Sequence, residues 1–241
     1  MFRGAKKTQR KEVLPDTFIQ WNDFCSEAYF EDNYKKASTI DRKLADMLRA
    51  FCIKYGPFKN SIDVGTGTNL IPYIVCENFV QTSILFEYSD NNIKWLKNVF
   101  ENQSLLKHWS NYLPTDVEIS PFNAPIIEKG SIFEPINRKF DLATMFFCAE
   151  SITSEINEFI SAINNFVNCL NPDGYYFIAL MRNSLGYSVN GIHYPAVSID
   201  EHIVQHTFSK ISKVIYTKVI ESDGSLDRDQ FDGFVVVAGQ K

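Results

Sequence analysis

The chain reads as one α/β domain built on a doubly wound, mostly parallel seven-stranded sheet whose last two strands form an antiparallel hairpin. Three observations predict this. Apolar strand-like runs alternate with amphipathic helix-like segments through most of the chain. The apolar run from Phe140 to Cys148 has the character of a strand covered on both faces. Two strand-like segments then stand in succession at the C-terminus with no helix between them.

Taken in order, residues 16–36 are rich in Trp, Phe and Tyr with acidic residues between them. Asp41 to Phe51 places Leu44, Met47, Leu48 and Phe51 on one face, which predicts an amphipathic helix. A strand follows at 61–64, a helix near 69–79, a strand at 83–87, and a helix from Asp90 to Phe100 with Asp90 as its N-cap. Residues 104–128 carry little pattern apart from the strand-like Pro125-Ile126-Ile127. After the strand at 140–148, Glu155 to Leu170 turns Ile156, Phe159, Ile160, Ile163, Phe166, Val167 and Leu170 to one side, as a helix does. Asn171-Pro172-Asp173-Gly174 is a turn. Tyr175 to Met181 is the next strand, Asp200 to Phe208 a helix capped by Asp200, and Lys213–Glu221 and Phe231–Gln240 the closing strands. With no internal repeat or low-complexity linker, residues 16–241 are expected to fold as a single domain. Residues 16–56 would form a helical lid or cap over a core at 57–241, behind a flexible basic start at 1–15.

Composition narrows the function. The chain is 45% hydrophobic and 22% charged, so a sizeable core is available. Its 20 Phe and 11 Tyr serve either a Phe-rich core or an aromatic-lined pocket for a planar ligand. Net charge is −5, yet Arg3, Lys6, Lys7, Arg10 and Lys11 are all basic, which leaves the body of the chain strongly acidic. An acidic body argues against a broad nucleic-acid face. The basic start has no apolar stretch behind it and reads as no signal peptide. No apolar run approaches the ~18 residues needed to span a membrane. Cys25, Cys52, Cys76, Cys148 and Cys169 are scattered without a C-x-x-C pair, as expected of reduced thiols in a cytoplasmic protein. His202 and His206 stand four apart on a predicted helix but have no third ligand in range, so no metal is expected.

The chemistry concentrates in Ser61-Ile62-Asp63-Val64-Gly65-Thr66-Gly67-Thr68-Asn69-Leu70 and in Ile84-Leu85-Phe86-Glu87-Tyr88-Ser89. A strand that breaks at two glycines into a helix lets a ligand approach bare backbone and presents N–H groups to it. The second strand ends in a carboxylate placed to accept both hydroxyls of a ribose. Together they point to a nucleoside cofactor.

These motifs, with Leu170-Asn171-Pro172-Asp173-Gly174, resemble those of class I S-adenosylmethionine-dependent methyltransferases, which share a Rossmann-like fold. More narrowly, the chain is similar to the nicotinamide / phenylethanolamine / thioether small-molecule methyltransferase family. Tyr29-Phe30-Glu31-Asp32-Asn33-Tyr34 resembles that family's lid segment, whose tyrosines close over the cofactor. Glu87-Tyr88-Ser89-Asp90-Asn91-Asn92 resembles its Asp-Tyr-Ser-x-x-Asn. Gly186-Tyr187-Ser188-Val189-Asn190-Gly191-Ile192-His193-Tyr194 resembles an insert that contributes to the substrate pocket.

The resemblance implies S-adenosylmethionine as cofactor, S-adenosylhomocysteine as product, no metal, and a small-molecule methyl acceptor. It assigns cofactor binding to Tyr29, Tyr34, Asp63, Gly65, Gly67, Thr68, Glu87, Tyr88, Asn92, Gly130, Ser131 and Phe147. Substrate binding falls to Glu150, Ser184, Tyr187 and His193, with Glu150 also the catalytic carboxylate. It stands where the phenylethanolamine enzyme holds its substrate amine.

The chain also departs from the pattern. Ile71 replaces a cofactor-facing Tyr, Gly130 or Ser131 stands where an acid near the adenine is expected, and Leu180 replaces a pocket Asp of the nicotinamide enzymes. The expected activity is methyl transfer to the nitrogen of an amine or N-heterocycle, in a cytoplasmic monomer or weak homodimer with no nucleic-acid or membrane partner. An O- or S-methyltransferase and a catalytically silent cofactor-binding protein are the alternatives. A nicotinamide-dependent dehydrogenase would want a third glycine where Leu70 stands. A base-modifying methylase would want Asn/Asp-Pro-Pro-aromatic where the chain has Ala149-Glu150-Ser151-Ile152.

Overall fold

The computed structural model describes residues 21–114, 123–222 and 231–241. A turn of 3-10 helix at Trp21–Asp23, α1 (Ser26–Asn33) and α2 (Thr39–Tyr55) lie ahead of the sheet. Then come β1 (Phe58–Val64), α3 (Ile71–Cys76), β2 (Val80–Glu87), α4 (Asp90–Glu101), α5 (Gln103–His108) and β3 (Ile126–Lys129). They are followed by β4 (Phe140–Phe146), α6 (Ile156–Asn168) and β5 (Leu170–Arg182). A small hairpin of β6 (Tyr187–Val189) and β7 (Ile192–Tyr194) precedes α7 (Glu201–Ser209), and β8 (Lys213–Glu221) and β9 (Gly233–Gln240) end the chain.

The sheet has seven strands in the order β3-β2-β1-β4-β5-β9-β8. β1 to β5 run parallel, and β9 slots antiparallel between β5 and β8. This is the doubly wound sheet with a reversed C-terminal hairpin that the sequence predicts. Alternate residues of the inner strands feed opposite cores. Phe177 and Ala179 of β5 pack with α2, α3 and α4, while Tyr176, Ile178 and Leu180 pack with α6 and α7. Both faces are therefore covered, which is why the strands read as nearly continuous apolar runs. The strand order reverses between β1 and β4, and their C-terminal ends open the crevice where ligands bind in such sheets.

Several elements differ from the expectation in ways that have physical reasons. α4 is capped by Ser89, whose hydroxyl accepts the N–H of Asn92 at 3.4 Å, and Asp90 is the first helical residue. α2 starts earlier, at Thr39, because Ser38 Oγ accepts the N–H of Asp41 at 3.0 Å. Asn171 to Gly174 bulge out within β5, so that Phe140 pairs with Leu170 but Leu142 with Tyr175. The weakly patterned stretch after residue 104 contains α5, a 3-10 turn at Trp109–Tyr112 and β3. The expected flexible start at 1–15, and the part of the expected lid at 16–20, lie outside the described residues.

The β6–β7 turn is Asn190-Gly191, with φ of +48° and +81°. Positive φ at both positions is the two-residue hairpin turn that matches strand twist, and Asn-Gly is the pair that tolerates it best. All five cysteines are free. Among the described residues no helix is long and apolar enough to cross a membrane, and no cluster of metal-binding side chains occurs.

Candidate functional site

A cavity of about 360 Å³ lies over the C-terminal ends of β1, β2 and β4. Its floor is the turn after β1. Gly65 takes φ of +67°, and a Cβ there would meet Cys148 Sγ at 2.2 Å, so the backbone and the β4 end pack as only glycine allows. Beneath the turn, Asp63 is 5% exposed and accepts the Thr144 hydroxyl at 2.7 Å. Burial raises its pKa to about 7, against the Thr144 and Thr66 hydrogen bonds that lower it, and nearby Glu87 adds to the rise. Asp63 braces the turn from behind and does not line the cavity.

Glu87 does line it. One carboxylate oxygen accepts the N–H of Gly67 at 2.7 Å, and the other accepts those of Tyr88 and Ser89 at 2.8 and 2.7 Å. Burial raises its pKa, while these backbone bonds pull the other way. A carboxylate has about four lone-pair sites, so three backbone bonds leave capacity for a hydroxyl of a bound ligand. On the same wall, Thr68 Oγ1 and Asn69 Nδ2 are buried and have no hydrogen-bond partner, and both residues face the cavity. Buried polar atoms left open in this way fit a polar ligand end.

The N-terminal segment closes the cavity from above. Asn22 Oδ1 accepts the N–H of Asp90 at 3.0 Å, Ser26 Oγ donates to Asn92 Oδ1 at 2.7 Å, and Glu27 Oε2 accepts Trp95 Nε1–H at 3.2 Å. These bonds fasten residues 22–27 to α4. Tyr29 then reaches Tyr34 and Tyr187 with ring centroids 6.0 and 6.1 Å apart. Trp21 and Phe24 each lie 5.1 Å from Tyr194, which stacks on Tyr187 at 5.4 Å. One end of the cavity is thus a wall of aromatic rings from two segments far apart in sequence.

Phe147 sits at the end of β4 with φ of +57°, held by its N–H to the Ala179 carbonyl at 2.8 Å. A non-glycine residue in the left-handed region is strained, and such residues cluster at functional sites. Its ring packs 5.0 Å from Phe234 and lines the cavity.

The expected site residues divide cleanly. Tyr29, Tyr34, Gly65, Gly67, Thr68, Glu87, Tyr88, Asn92, Gly130, Ser131, Phe147 and Tyr187 all line the cavity. Four others do not. Glu150 is 0% exposed behind the wall, one carboxylate oxygen accepting the N–H of Met181 at 2.9 Å. Its Oε2 has no partner, and burial raises its pKa to about 7. Ser184 is buried and accepts the N–H of Gly186 at 3.4 Å, and His193 packs its ring against Gly186.

The wall near Glu150 is made by its neighbours Cys148, Ser151 and Ile152. Ser151 Oγ is also buried without a partner, and its hydroxyl acts on the Glu150 carboxyl although no formed hydrogen bond joins them. Trp21, Phe24, Asn69, Phe133, Glu134 and Ser151 escape the sequence reading. Only the aromatic richness of residues 16–36 hinted at the first two.

A family model described as a methyltransferase domain matches residues 33–212. No curated protein matches the chain in sequence. Among solved structures, the N-methyltransferase NodS from Bradyrhizobium japonicum bound to S-adenosylhomocysteine superposes with a TM-score of 0.62 at 10% identity, covering 88% of this chain and 92% of that one. The 1,6-didemethyltoxoflavin-N1-methyltransferase of Burkholderia thailandensis, with S-adenosylhomocysteine, gives 0.57 at 11%, covering 92% and 86%. Magnesium protoporphyrin IX methyltransferase from Synechocystis, with bound S-adenosylmethionine, gives 0.60 at 9%, covering 96% and 99%.

Proposed function

The chain belongs to the class I S-adenosylmethionine-dependent methyltransferases, and from that membership we propose that it methylates a small molecule at the nitrogen of an amine or N-heterocycle. The observation that carries the cofactor end is Glu87, whose carboxylate joins the tip of β2 to the Gly67 N–H and opens onto the cavity. Thr68 and Asn69, with their unpartnered polar atoms, would hold the cofactor's amino-acid end, in place of the tyrosine that Ile71 replaces. Glu134, on the wall after β3, would take the adenine-side role that Gly130 and Ser131 cannot fill with charge.

The bound cofactor supplies an already activated methyl group. The chain must then bring a nucleophile into line, exclude water and manage one proton. Trp21, Phe24, Tyr29, Tyr187 and Phe147 form a wall that favours a flat, weakly polar acceptor over a polymer. The acceptor nitrogen would use its lone pair for the new bond to the methyl carbon, the electron pair of the carbon–sulfur bond being left to the sulfur that this chain's Glu87 and glycine turn would hold in place. The methylated nitrogen would hand a proton to Ser151 Oγ as the Ser151 proton passes to Glu150 Oε2, a step that requires the Ser151 hydroxyl, unpartnered in this structure, to turn and bridge the two. On this reading Ser151 touches the acceptor, and Glu150 is a positioning residue that works through it. A carboxyl poised near pH 7 suits a proton acceptor. The names of NodS and the toxoflavin enzyme, both N-methyltransferases, support nitrogen as the acceptor atom. Five free thiols fit the cytoplasmic setting proposed with this activity.

Calorimetric titration with S-adenosylmethionine and S-adenosylhomocysteine, with NAD as control, tests the cofactor. Mass spectrometry of benzylamine, tryptamine and nicotinamide after incubation then tests the acceptor. Micromolar binding of both sulfur ligands and a gain of one methyl on any of the three supports the reading. Binding of NAD alone would overturn it.

A further inference from the structure

Acids stand in and behind the cavity wall, and no lysine or arginine lines it among the described residues. Of the described residues lining it, only Glu87 and Glu134 carry charge, and both are acidic. Asp63 and Glu150 stand directly behind its wall, 5% and 0% exposed. The charges of the three buried acids all act on one thiol. Cys148 is held in its neutral form by burial and then by Glu87, Glu150 and Asp63. That thiol lines the cavity and lies against Gly65, so the three acids act on a group of the wall itself.

The partners of these acids are neutral. Asp63 has the Thr144 hydroxyl, Glu87 three backbone N–H groups, and Glu150 one backbone N–H with its second oxygen open. Among the described residues none of the three takes part in an ion pair. Buried carboxylates without a counter-charge are expensive. Here the missing half would be a positive charge brought by the ligand.

S-adenosylmethionine carries a sulfonium cation that S-adenosylhomocysteine lacks, and the two are otherwise alike. We propose that Asp63, Glu87 and Glu150 act together as a charge filter that binds the sulfonium cofactor in preference to its neutral thioether product. The inference rests on the cofactor reading given above. It assigns Glu150 a second duty: selecting the cofactor's charge state from behind the wall. Loss of the cation on methyl transfer would leave the acids facing a neutral sulfur and would hasten product release.

The sign of the pH dependence follows. In the free protein burial holds the Asp63 and Glu150 carboxyls partly protonated up to about pH 7, and burial shifts Glu87 in the same direction. A cation favours the ionised form, so its binding drives protons off and strengthens as pH rises through that range. The thioether keeps the α-ammonium that both ligands share but has no charge at sulfur, so it gains less. The other titratable groups facing the three acids are the thiols of Cys76 and Cys148 and the Tyr187 hydroxyl. All three are held above their ordinary values, so the carboxyls are what titrates.

The test is calorimetric titration of the purified chain with S-adenosylmethionine, S-adenosylhomocysteine and sinefungin, which has an amine where the sulfonium stands. Between about pH 5.5 and about pH 7.5 the affinity ratio of S-adenosylmethionine to S-adenosylhomocysteine should rise about tenfold, the effect of one unit of pKa coupling. Sinefungin should follow the sulfonium. Glu150→Gln keeps an acceptor for the Met181 N–H, and should lower the ratio at the upper pH about tenfold by weakening S-adenosylmethionine alone. Asp63→Asn is the second variant should the first not fold, with the same expectation. A flat ratio in the unaltered protein overturns the proposal and leaves the cofactor reading standing. So does an equal weakening of both ligands by Glu150→Gln. Binding of neither ligand rejects both.

Discussion

Ser26 Oγ donates a 2.7 Å buried hydrogen bond to Asn92 Oδ1, joining α1 to α4 across 66 positions of sequence. Asn92 also lines the cavity, so one side chain both faces the ligand and holds the cap. Ser26→Ala leaves a buried acceptor open and should cost about 1–3 kcal/mol. Hydrogen exchange should quicken in residues 22–33, and cofactor affinity should fall several-fold, read by calorimetry. Unchanged exchange there would mean that the aromatic contacts alone hold the segment.

Gly65 admits no side chain. A Cβ would reach Cys148 Sγ at 2.2 Å on a backbone with φ of +67°. Gly65→Ala should lower stability by about 1–3 kcal/mol through overpacking and strain and abolish measurable cofactor binding. Adding Cys148→Gly removes the clash but not the strain. The double variant should recover part of the melting temperature.

Ser151→Ala should reduce turnover about 10²-fold if the hydroxyl passes the proton, with cofactor affinity unchanged. Ser151→Thr keeps the hydroxyl and should restore most of it. In the unaltered protein, turnover should rise with pH through about 7 as Glu150 ionises, and Ser151→Ala should flatten that limb. A steep limb surviving in Ser151→Ala would remove Ser151 from the path.

Stability should also depend on pH. Asp63 and Glu150 have folded-state pKa values raised from 3.8 and 4.5 to about 7. Between those limits the folded protein binds more protons than the unfolded chain. Stability is therefore fully present below about pH 4 as far as these two groups are concerned, and falls as pH rises to about 7. The loss is on the order of a few kcal/mol. Urea midpoints at pH 5 and pH 8 should differ in that direction, and Asp63→Asn with Glu150→Gln should narrow the gap.

The legible parts of the site were those written in local sequence. Gly65, Gly67 and Glu87 could be placed because a strand, a turn and a strand end fix their geometry within a few residues. Ser89 and Asp90 are equally good capping types side by side, so local sequence alone does not single out Ser89 as the cap of α4. Glu150 follows shortly after β4, and its side chain turns inward to Met181, a fact set by the β4–β5 register. Sequence spacing alone cannot say whether a residue after a strand faces the crevice or the core. Trp21 and Phe24 reach the cavity only because residues 21–24, ahead of α1, dock on α4 and on the β6–β7 hairpin, contacts that no local pattern records.

The β6–β7 hairpin forms a two-stranded sheet of its own, outside the main one, and shares a small core with Phe24. Its rings therefore furnish one end of the cavity without being woven into the strands that carry Glu87 and Gly65. Such a part is interchangeable. Recasting residues 187–194 would redraw what the enclosure admits while the cofactor cradle stayed as it is, so this scaffold could diversify by trading one small appendage.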